Sequence, residues 1–487
     1  MYSIPYEQDV DIIIVGGGIS GLSAAYYLLQ CEPSLDLVIL EASNRVGGRT
    51  FTLPLKTSSN EMRDFDLGGQ FLKSPQPFLK DLLDNLGLQE VSSDAEEKTD
   101  KIIFDLDPKS SEFLSLNLSE LAQRYEWLEV EKFFNNINTM CLHITFDEPH
   151  IDDYCRQLDY TTMDEFILLH LNNVLAQNFV RHLVHISCGL EAFEISVLFY
   201  LAFCNATGGM QNQVFLNNTN SAWIREGADQ ICYKLESLIG KEYIKMNDPV
   251  VKVNWDSSKA VIQTEHEIYR ARYVILAIPP ISMLNINFNP TLDNLKILTN
   301  LNSGNLIKFI VTYKTAFWRK RGYNGTVISC RKKNPDYYIR LCFDITYNKS
   351  PALCGYLSTR STDGGFKNKV LEELSRYFGT DALNTLDYID KNWLEDKSTY
   401  VRACFTSAPK LGQMNNYTKL RRPLGHLYWA GTELSSWWNG QMEGAVQSGY
   451  RAASEILYHF RPQSMIFHEG PQTQRTYSNK PIRYITY

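Results

Sequence analysis

Three glycines near the amino terminus have the spacing of a phosphate-binding turn: Gly16, Gly18 and Gly21. Gly16 permits a tight turn, Gly18 allows a pyrophosphate to approach the backbone, and Gly21 lets a following helix pack on the preceding strand. A helix that begins here presents unpaired N–H groups and a partial positive charge to the phosphates. Glu41, twenty residues after Gly21, can accept hydrogen bonds from both hydroxyls of a ribose.

The elements around this turn are those of a dinucleotide-binding unit. The mostly β-branched run Asp11–Val15 predicts a buried parallel strand, and the Ala- and Leu-rich stretch Leu22–Leu29 predicts a helix. A second predicted strand, Leu37–Leu40, ends directly before Glu41. Because both strands, the helix and the acid accompany the glycines, the sequence favours a Rossmann-type unit over an ordinary glycine loop.

Two glycine pairs after the second strand favour FAD over a nicotinamide cofactor. The first lies in Ala42–Thr50 and is followed by Arg49, and the second lies in Asp66–Gln70. Paired glycines allow close approach of the backbone, and Arg49 would supply a fixed cation for the diphosphate. Either pair alone is more typical of a plain turn. In this order, both segments resemble those that follow the second strand in flavin-dependent amine oxidases, and this resemblance implies a flavin.

Two further side chains could take part in chemistry. Lys308 lies in the apolar run Leu306–Val311, where a lysine is costly to bury unless it is paired or functional. The alternative is an edge-strand lysine that faces solvent. Cys404, in the segment Arg402–Thr406, could equally be a small core residue.

Composition restricts the class of protein. The 487 residues are 44% hydrophobic and 21% charged, with a net charge of −7, which is typical of a soluble globular protein and disfavours nucleic acid as a partner. No apolar run approaches the roughly 18 residues of a spanning helix, and Met1–Val10 lacks the features of a signal peptide. The ten cysteines include no Cys-x-x-Cys pair and indicate reduced thiols, and we predict no metal site.

From about residue 9 to about residue 460 the chain resembles the flavin-containing monoamine oxidase family. The matching segments, in chain order, are Gly16–Gly21, Arg45–Thr50, Asp66–Gly69, Tyr273–Pro280, Gly304–Trp318, Lys391–Trp393, Ala430–Glu433 and Gly440–Ala445. The resemblance implies an α/β fold of two domains, a Rossmann-type FAD-binding domain and a substrate domain with a mixed sheet and helices. We expect the FAD-binding domain over residues 1–88, 224–297 and 396–460, the substrate domain over 89–223 and 298–395, and an irregular tail over 461–487.

The resemblance also implies roles for individual residues. Lys308 would bond through water to the flavin N5 and assist the reaction with oxygen, and Trp393 would pack beside the flavin. Cys404 matches the cysteine that the family links to the flavin by a thioether. The two glycines that normally precede it are replaced by Arg402 and Ala403, so covalent attachment stays open. The other expected cofactor contacts are Gly16, Gly18, Ser20, Gly21, Glu41, Arg49, Gly68, Gly69, Gln70, Val251, Gly431, Thr432, Glu433 and Met442.

The expected substrate cage departs from the family. The family places two tyrosines in front of the flavin, where their π-faces can steer an amine. The matching positions here are Phe405, which keeps a ring without the hydroxyl, and Gln441, which replaces a ring with an amide. Gln441 could bond an ammonium, an amide or a carboxylate. The substrate preference of the family therefore does not transfer to this chain.

The resemblance implies an FAD-dependent oxidase that converts an amine to an imine, then to an aldehyde and ammonia, while O2 becomes H2O2. Two alternatives stay open: a polyamine or L-amino acid oxidase with non-covalent FAD, and a catalytically lapsed flavoprotein with a binding or scaffold role.

The expected partners are the amine and O2, with no nucleic acid, and a homodimer is possible by analogy. Animal members of the family end in a membrane-spanning helix, whereas this chain stops at Tyr487 without one. We therefore expect no transmembrane anchor in this chain and a cytoplasmic location. The alternative is the surface of the mitochondrial outer membrane, if the chain is truncated.

Overall fold

The computed structural model describes residues 7–93, 100–107, 109–213, 222–256, 259–291, 295–330, 339–358, 365–394, 401 and 406–460. Cys404, Phe405 and the expected tail 461–487 lie outside the described residues. The strands are β1 (Glu7–Val15), β2 (Leu37–Leu40), β3 (Thr52–Lys56), β4 (Met62–Asp66), β5 (Glu90–Ser92), β6 (Lys101–Asp105), β7 (Leu114–Leu116), β8 (Ala222–Ile224), β9 (Ile244–Lys245), β10 (Val250–Trp255), β11 (Ala260–Thr264), β12 (Ile268–Leu276), β13 (Asn287–Asn289), β14 (Leu301–Ser303), β15 (Ile307–Tyr313), β16 (Tyr323–Ser329), β17 (Ile339–Asp344), β18 (Ala352–Leu357), β19 (Thr385–Lys391), β20 (Ser407–Pro409) and β21 (Leu427–Trp429). The helices are α1 (Ile19–Cys31), α2 (Pro77–Leu86), α3 (Leu118–Ala122), α4 (Tyr125–Cys141), α5 (Asp153–Tyr160), α6 (Met163–His170), α7 (Val174–Cys188), α8 (Val197–Ala206), α9 (Gln230–Ile239), α10 (Leu295–Leu298), α11 (Phe317–Lys320), α12 (Lys367–Phe378), α13 (Met414–Lys419) and α14 (Met442–Phe460).

The amino-terminal glycine turn directly follows β1, which belongs to the larger sheet. Within the described ranges its strand order is β13-β10-β11-β12-β1-β2-β9, and β21 pairs with the carboxyl-terminal part of β12. β1 runs parallel to both β2 and β12. Ile12, Ile13 and Ile14 are fully buried, as expected for a strand covered on both faces. The predicted strand–turn–helix–strand unit is confirmed.

Helices α1 and α14 pack closely on each other beside this sheet. A Cβ added at Gly449 of α14 would lie 2.3 Å from the carbonyl oxygen of Ser20 in α1. The hydroxyls of Ser20 and Ser448 are 3.1 Å apart and share a hydrogen bond. The first turn of α1, which follows the glycine turn, is therefore held by the last helix of the described chain.

The second sheet has the strand order β19-β15-β18-β17-β16-β6-β7 over the described residues. β16 and β6 are parallel and the other neighbours are antiparallel, so the sheet is mixed. The helical layer includes α8, which is apolar on all sides and almost completely buried. No described helix is both long enough and apolar enough to cross a membrane.

The strands of the two sheets follow the expected division of the chain. The larger sheet draws its strands from within residues 1–88, 224–297 and 396–460, and the second sheet from within 89–223 and 298–395. Two antiparallel pairs, β5 with β8 and β14 with β20, lie close to the points where the chain passes between these regions. The domain boundaries themselves stay a prediction.

Candidate functional site

A cavity with a volume of about 330 Å³ lies where four parallel strands of the larger sheet end. Its wall includes residues one or two positions after the carboxyl ends of β1, β2, β12 and β21. In open α/β sheets this edge is where dinucleotides bind. The second sheet contributes Lys308 of β15 and Tyr356 of β18 to the same cavity. The predicted site residues on its wall are Gly16, Gly18, Ser20, Glu41, Arg49, Gly68, Gly69, Gln70, Lys308, Trp393, Gly431, Thr432, Gln441 and Met442.

The three glycines of the turn lie in three different surroundings. Gly16 has φ of +106°, and a Cβ there would lie 2.8 Å from the Ala277 carbonyl oxygen. A Cβ at Gly21 would lie 2.0 Å from the Gly16 carbonyl oxygen, so α1 can approach β1 only at a glycine. A Cβ at Gly18 would meet nothing closer than the Gly47 carbonyl oxygen, at 3.9 Å, and would instead project into free space. Gly21 itself does not line the cavity and acts through packing.

The amino terminus of α1 faces the cavity. Gly18 is the N-cap residue and has no side-chain cap, and Gly18, Ile19 and Ser20 line the wall. The first-turn N–H groups therefore lie beside the space that a Cβ at Gly18 would enter. This cradle fits the diphosphate of a dinucleotide.

Glu41 is buried at the end of β2, where its carboxylate already has partners within the chain. Its Oε2 accepts the backbone N–H of Gly17 at 2.7 Å. Its Oε1 accepts the backbone N–H and the hydroxyl of Ser43 at 2.8 and 2.7 Å. Since a carboxylate offers about four acceptor positions, about one remains on Oε2. Glu41 can therefore accept about one further hydrogen bond while it holds the turn.

Arg49 and Glu433 form a bidentate ion pair that the sequence did not predict as a pair. The two N–O distances are 2.6 and 2.9 Å. The Glu433 side chain is 0% exposed and that of Arg49 is 24% exposed. Tyr417 and Asn439 donate to the backbone carbonyl of Glu433 at 2.6 and 2.7 Å. The cation predicted for the diphosphate is thus oriented by a buried carboxylate.

Lys308 lies in an interior strand, because β15 pairs with β18 on one side and β19 on the other. It is 3% exposed, which excludes the solvent-facing edge lysine. Its Nζ donates to Oε1 of Gln70 at 2.7 Å and to the Gly68 carbonyl at 3.1 Å, and lies 5.7 Å from the centre of the Phe71 ring. The lysine is thereby directed at the glycine pair that follows β4. Burial raises the pKa of the neighbouring Asp66 to about 6, an effect that the Lys308 charge reduces.

Trp393 closes the cavity beside the second glycine pair. The indole N–H donates to the Leu67 carbonyl at 3.1 Å, and the side chain is buried. A Cβ at Gly68 would lie 1.9 Å from the Arg49 carbonyl oxygen and 3.1 Å from the Trp393 ring. A Cβ at Gly69 would lie 3.2 Å from Met442. The glycine pair thus fits between Arg49, Trp393 and Met442.

Residues 431–441 form the remaining side of the cavity. The Gly431 N–H donates to the Ser448 hydroxyl at 3.0 Å, and the Thr432 hydroxyl donates to the Gln441 carbonyl at 2.7 Å. Gln441 lines the cavity, and its side-chain Oε1 accepts from Nε2 of Gln76 at 3.3 Å. Gln441 is thus tied to the loop before α2.

One predicted cofactor contact is shifted by one position along the chain. Val251 does not line the cavity, whereas its neighbour Val250 does. Consecutive strand side chains point to opposite faces, and a register irregularity occurs between Val250 and Lys252. Sequence reasoning also missed Lys73 and Gln76, since neither lies in a segment that supported the resemblance.

The family model described as flavin containing amine oxidoreductase matches residues 19–457. The chain belongs to this family. An amine oxidase (flavin-containing) of Oncorhynchus mykiss is 32% identical over 486 residues, which covers 96% of this chain and 90% of the relative. The amine oxidase (flavin-containing) B of Homo sapiens is 30% identical and covers 95% of this chain and 89% of its own length.

Two solved structures have the same fold. Putrescine oxidase bound to putrescine superposes with a TM-score of 0.83 at 22% identity, and cyclohexylamine oxidase from Brevibacterium oxydans IH-35A with 0.83 at 23% identity. Each covers 93% of this chain and 100% of the solved chain. The predicted two-domain α/β fold is confirmed.

The family assigns the broad activity. As a flavin-containing amine oxidoreductase, the protein is an oxidoreductase that uses FAD and oxidises amines, and the alternatives raised from the sequence are not favoured. The glycine cradle, Glu41 and the oriented Arg49 fit FAD.

Proposed function

We propose that this chain oxidises a primary or secondary amine to an imine at the cavity that both sheets share, with O2 as the electron acceptor. The observation that carries the proposal is the convergence of two elements on one cavity. These are the carboxyl ends of β1, β2, β12 and β21, and the buried Lys308 of β15. When bound, FAD would supply the two-electron oxidation of the amine and the transfer of those electrons to oxygen.

The residues of the chain would hold the cofactor in the following way. The first-turn N–H groups of α1 and the guanidinium of Arg49 would bind the diphosphate, and Oε2 of Glu41 would accept a ribose hydroxyl. The remaining contacts would come from Gly431, Thr432 and Met442 on the opposite wall.

The residues around the reacting amine would orient it and exclude water. Lys308 is buried and its Nζ is a fixed donor on the cavity wall, where it would support the reaction with oxygen. Trp393 would form an apolar side of the site, and Phe405 and Gln441 would lie in front of the flavin. Water would then hydrolyse the released imine to an aldehyde, with release of ammonia from a primary amine or of a primary amine from a secondary one.

Anaerobic titration of the purified holoenzyme tests this proposal. Phenethylamine, serotonin, spermine and an L-amino acid are added one at a time while the absorbance of oxidised flavin is followed. Bleaching by one compound, followed by H2O2 release on admitting oxygen, supports the proposal and gives the substrate class. Bound FAD that no amine bleaches would overturn it.

We propose that Cys404 is joined to FAD by a thioether, for which the thiol and the flavin carbon that it joins would each lose a hydrogen and O2 would accept the two electrons. The match of this position to the cysteine that the family links to its flavin supports it. Acid precipitation of the holoenzyme should leave the flavin with the protein, and in Cys404→Ala the flavin should stay in the supernatant. Flavin released equally from both proteins would contradict the link.

We also propose a cytoplasmic homodimer. The nine cysteines that the structure describes form no disulfide with one another, as is usual in a reducing compartment. Leu168, Leu169 and Val174 expose apolar side chains close together in sequence, as self-association surfaces often do. Fractionation of cells that express the chain tests the location, with the mitochondrial outer membrane surface as the other outcome. Light scattering tests the dimer.

A further inference from the structure

The loop of residues 70–77 places a second lysine on the cavity wall. Lys73 lines the cavity with Gln70 and Phe71, and its Nζ donates to the Asn212 carbonyl at 2.5 Å. The next residue after this carbonyl, Gln213, also lines the cavity. Burial lowers the pKa of Lys73 to about 8, so the ammonium is mostly protonated at neutral pH. A positive charge therefore stands in the cavity that receives the amine.

The side-chain amide of Gln441 has an orientation fixed by a backbone donor. The backbone N–H of Lys73 donates to Oε1 of Gln76 at 3.1 Å. Because a backbone N–H can only donate, Gln76 must accept there with its oxygen, and its Nε2 then donates to Oε1 of Gln441. The Nε2 group of Gln441, which carries two donors, is left to serve a ligand in the cavity. Of the three partners that the sequence allowed for Gln441, this favours an acceptor over an ammonium.

The loop that carries Lys73 is fastened to the segment that carries Gln441. The Trp438 indole donates to the Pro75 carbonyl at 2.8 Å. The carboxylate of Glu443 accepts the backbone N–H groups of Phe78 and Leu79, at 3.1 and 2.6 Å, at the start of α2. Together with the Gln76–Gln441 bond, these bonds hold the loop that carries Lys73 in place against the segment that carries Nε2 of Gln441.

The charges on the wall have one predominant sign. Among the described residues, the ionised side chains that line the cavity are Arg49, Lys73 and Lys308, which are positive, and Glu41, which is negative. Glu41 lies at the end of β2 and is engaged by Gly17 and Ser43. Apart from Glu41, the charged side chains on the described wall are thus cations, and no described carboxylate is left there to pair with a second ammonium.

We propose that the preferred substrates carry a carboxylate in addition to the reacting amine, bound by Lys73 and the Nε2 group of Gln441, and that diamines are disfavoured. This inference rests on the proposed amine oxidation. A charge-assisted hydrogen bond contributes about ten- to a hundredfold in affinity, and a like charge in the same place costs a similar factor. The substrate class would then differ from that of putrescine oxidase, whose solved structure contains putrescine.

Three amines of equal length test the proposal on the holoenzyme. Butylamine, 4-aminobutyrate and putrescine have the same carbon chain and end in a methyl group, a carboxylate or an ammonium. We expect kcat/KM for 4-aminobutyrate to exceed that for butylamine about tenfold or more, and putrescine to fall below butylamine. Butyrate, which carries no amine, should perturb the absorbance of the bound flavin and give a Kd without turnover. 3-Aminopropylphosphonate replaces the carboxylate with a phosphonate, and a larger kcat/KM for it than for 4-aminobutyrate would overturn the assignment to a carboxylate.

Variants assign any preference to the two side chains. In Lys73→Met the ratio of kcat/KM for 4-aminobutyrate to that for butylamine should fall about tenfold, and the Kd of butyrate should rise by a similar factor. Lys80→Met removes an exposed lysine of α2 and should leave both quantities unchanged. Gln441→Glu replaces the two N–H donors with an acceptor. It should raise the ratio of kcat/KM for putrescine to kcat/KM for butylamine. It provides a second test should Lys73→Met fail to fold.

The outcomes separate this inference from the proposed function. If butylamine is oxidised but 4-aminobutyrate is no better and butyrate does not bind, the carboxylate preference is wrong and amine oxidation stands. If none of the amines reduces the flavin, amine oxidation itself is wrong. A preference for 4-aminobutyrate that Lys73→Met and Gln441→Glu both leave intact would also overturn the assignment of the two residues.

Discussion

The buried pair of Arg49 and Glu433 supports a prediction that separates stability from cofactor binding. Glu433→Gln keeps the size of the side chain and one acceptor, but leaves the Arg49 charge without its carboxylate. Removing one partner of a buried pair costs about 3–5 kcal/mol, and the retained acceptor places this change near the lower limit. For 487 residues the entropy of unfolding is about 1 kcal/mol/K, so the melting temperature should fall by about 3 °C.

Thermal unfolding followed by circular dichroism measures this change. The measurement is made with and without added FAD, because a ligand that binds the folded state raises the melting temperature by mass action. Asp381→Asn is the matched control. It breaks an ion pair with Arg321 whose side chains are 56% and 45% exposed, which should cost less than about 1 kcal/mol.

The double variant Arg49→Met/Glu433→Met completes the test. Replacing both members of a buried pair with apolar side chains is often neutral, so the melting temperature without FAD should return to within about 1 °C of the parent. The flavin content should nevertheless stay low, because the cation proposed for the diphosphate is gone. A double variant as unstable as Glu433→Gln would refute the desolvation argument. Normal flavin content in the double variant would refute the role of Arg49.

Four further substitutions separate folding, cofactor binding and chemistry. Gly18→Ala should keep the melting temperature without FAD but lower the flavin content, whereas Gly21→Ala should destabilise the fold, since its Cβ would lie 2.0 Å from a carbonyl oxygen. Circular dichroism and flavin absorbance distinguish the two, and equal effects would contradict the cradle. Lys308→Met should slow the reaction with oxygen about a hundredfold and amine oxidation far less, and equal slowing in stopped flow would contradict the proposed role. Burial raises the pKa of Glu443 from 4.5 to about 7, so the folded state binds the extra proton and loses stability as pH rises through this interval. The melting temperature of Glu443→Gln minus that of the parent should therefore be larger at pH about 8 than at pH about 5. An equal difference at both pH values would contradict this.

The glycine unit was predictable because its parts are consecutive in the chain. The β-branched run, the glycines, the helix and Glu41 lie within about thirty residues, and local periodicity and turn chemistry specify each of them. The structure has β1 at Glu7–Val15 and α1 at Ile19–Cys31, which contain the predicted strand and helix.

The partnerships within the site were not predictable, because they join distant parts of the chain. Arg49 and Glu433 are 384 residues apart, and Gln76 and Gln441 are 365 residues apart. Both arginine and glutamate were expected near the cofactor, but only the tertiary fold pairs them. The burial of Lys308 likewise depends on the order of strands in the second sheet, which local sequence does not specify.

The long separation of these partners has a consequence for how the enzyme acquires its cofactor. A ribosome delivers the glycine turn first, and Glu433 and α14 only after almost all of the preceding chain. Until then Arg49 has no carboxylate to orient it, and α1 has no helix to pack against through Ser20 and Gly449. FAD capture therefore belongs to the end of synthesis, and a nascent chain stalled before residue 433 would have the nucleotide-binding fingerprint without a site able to retain the nucleotide.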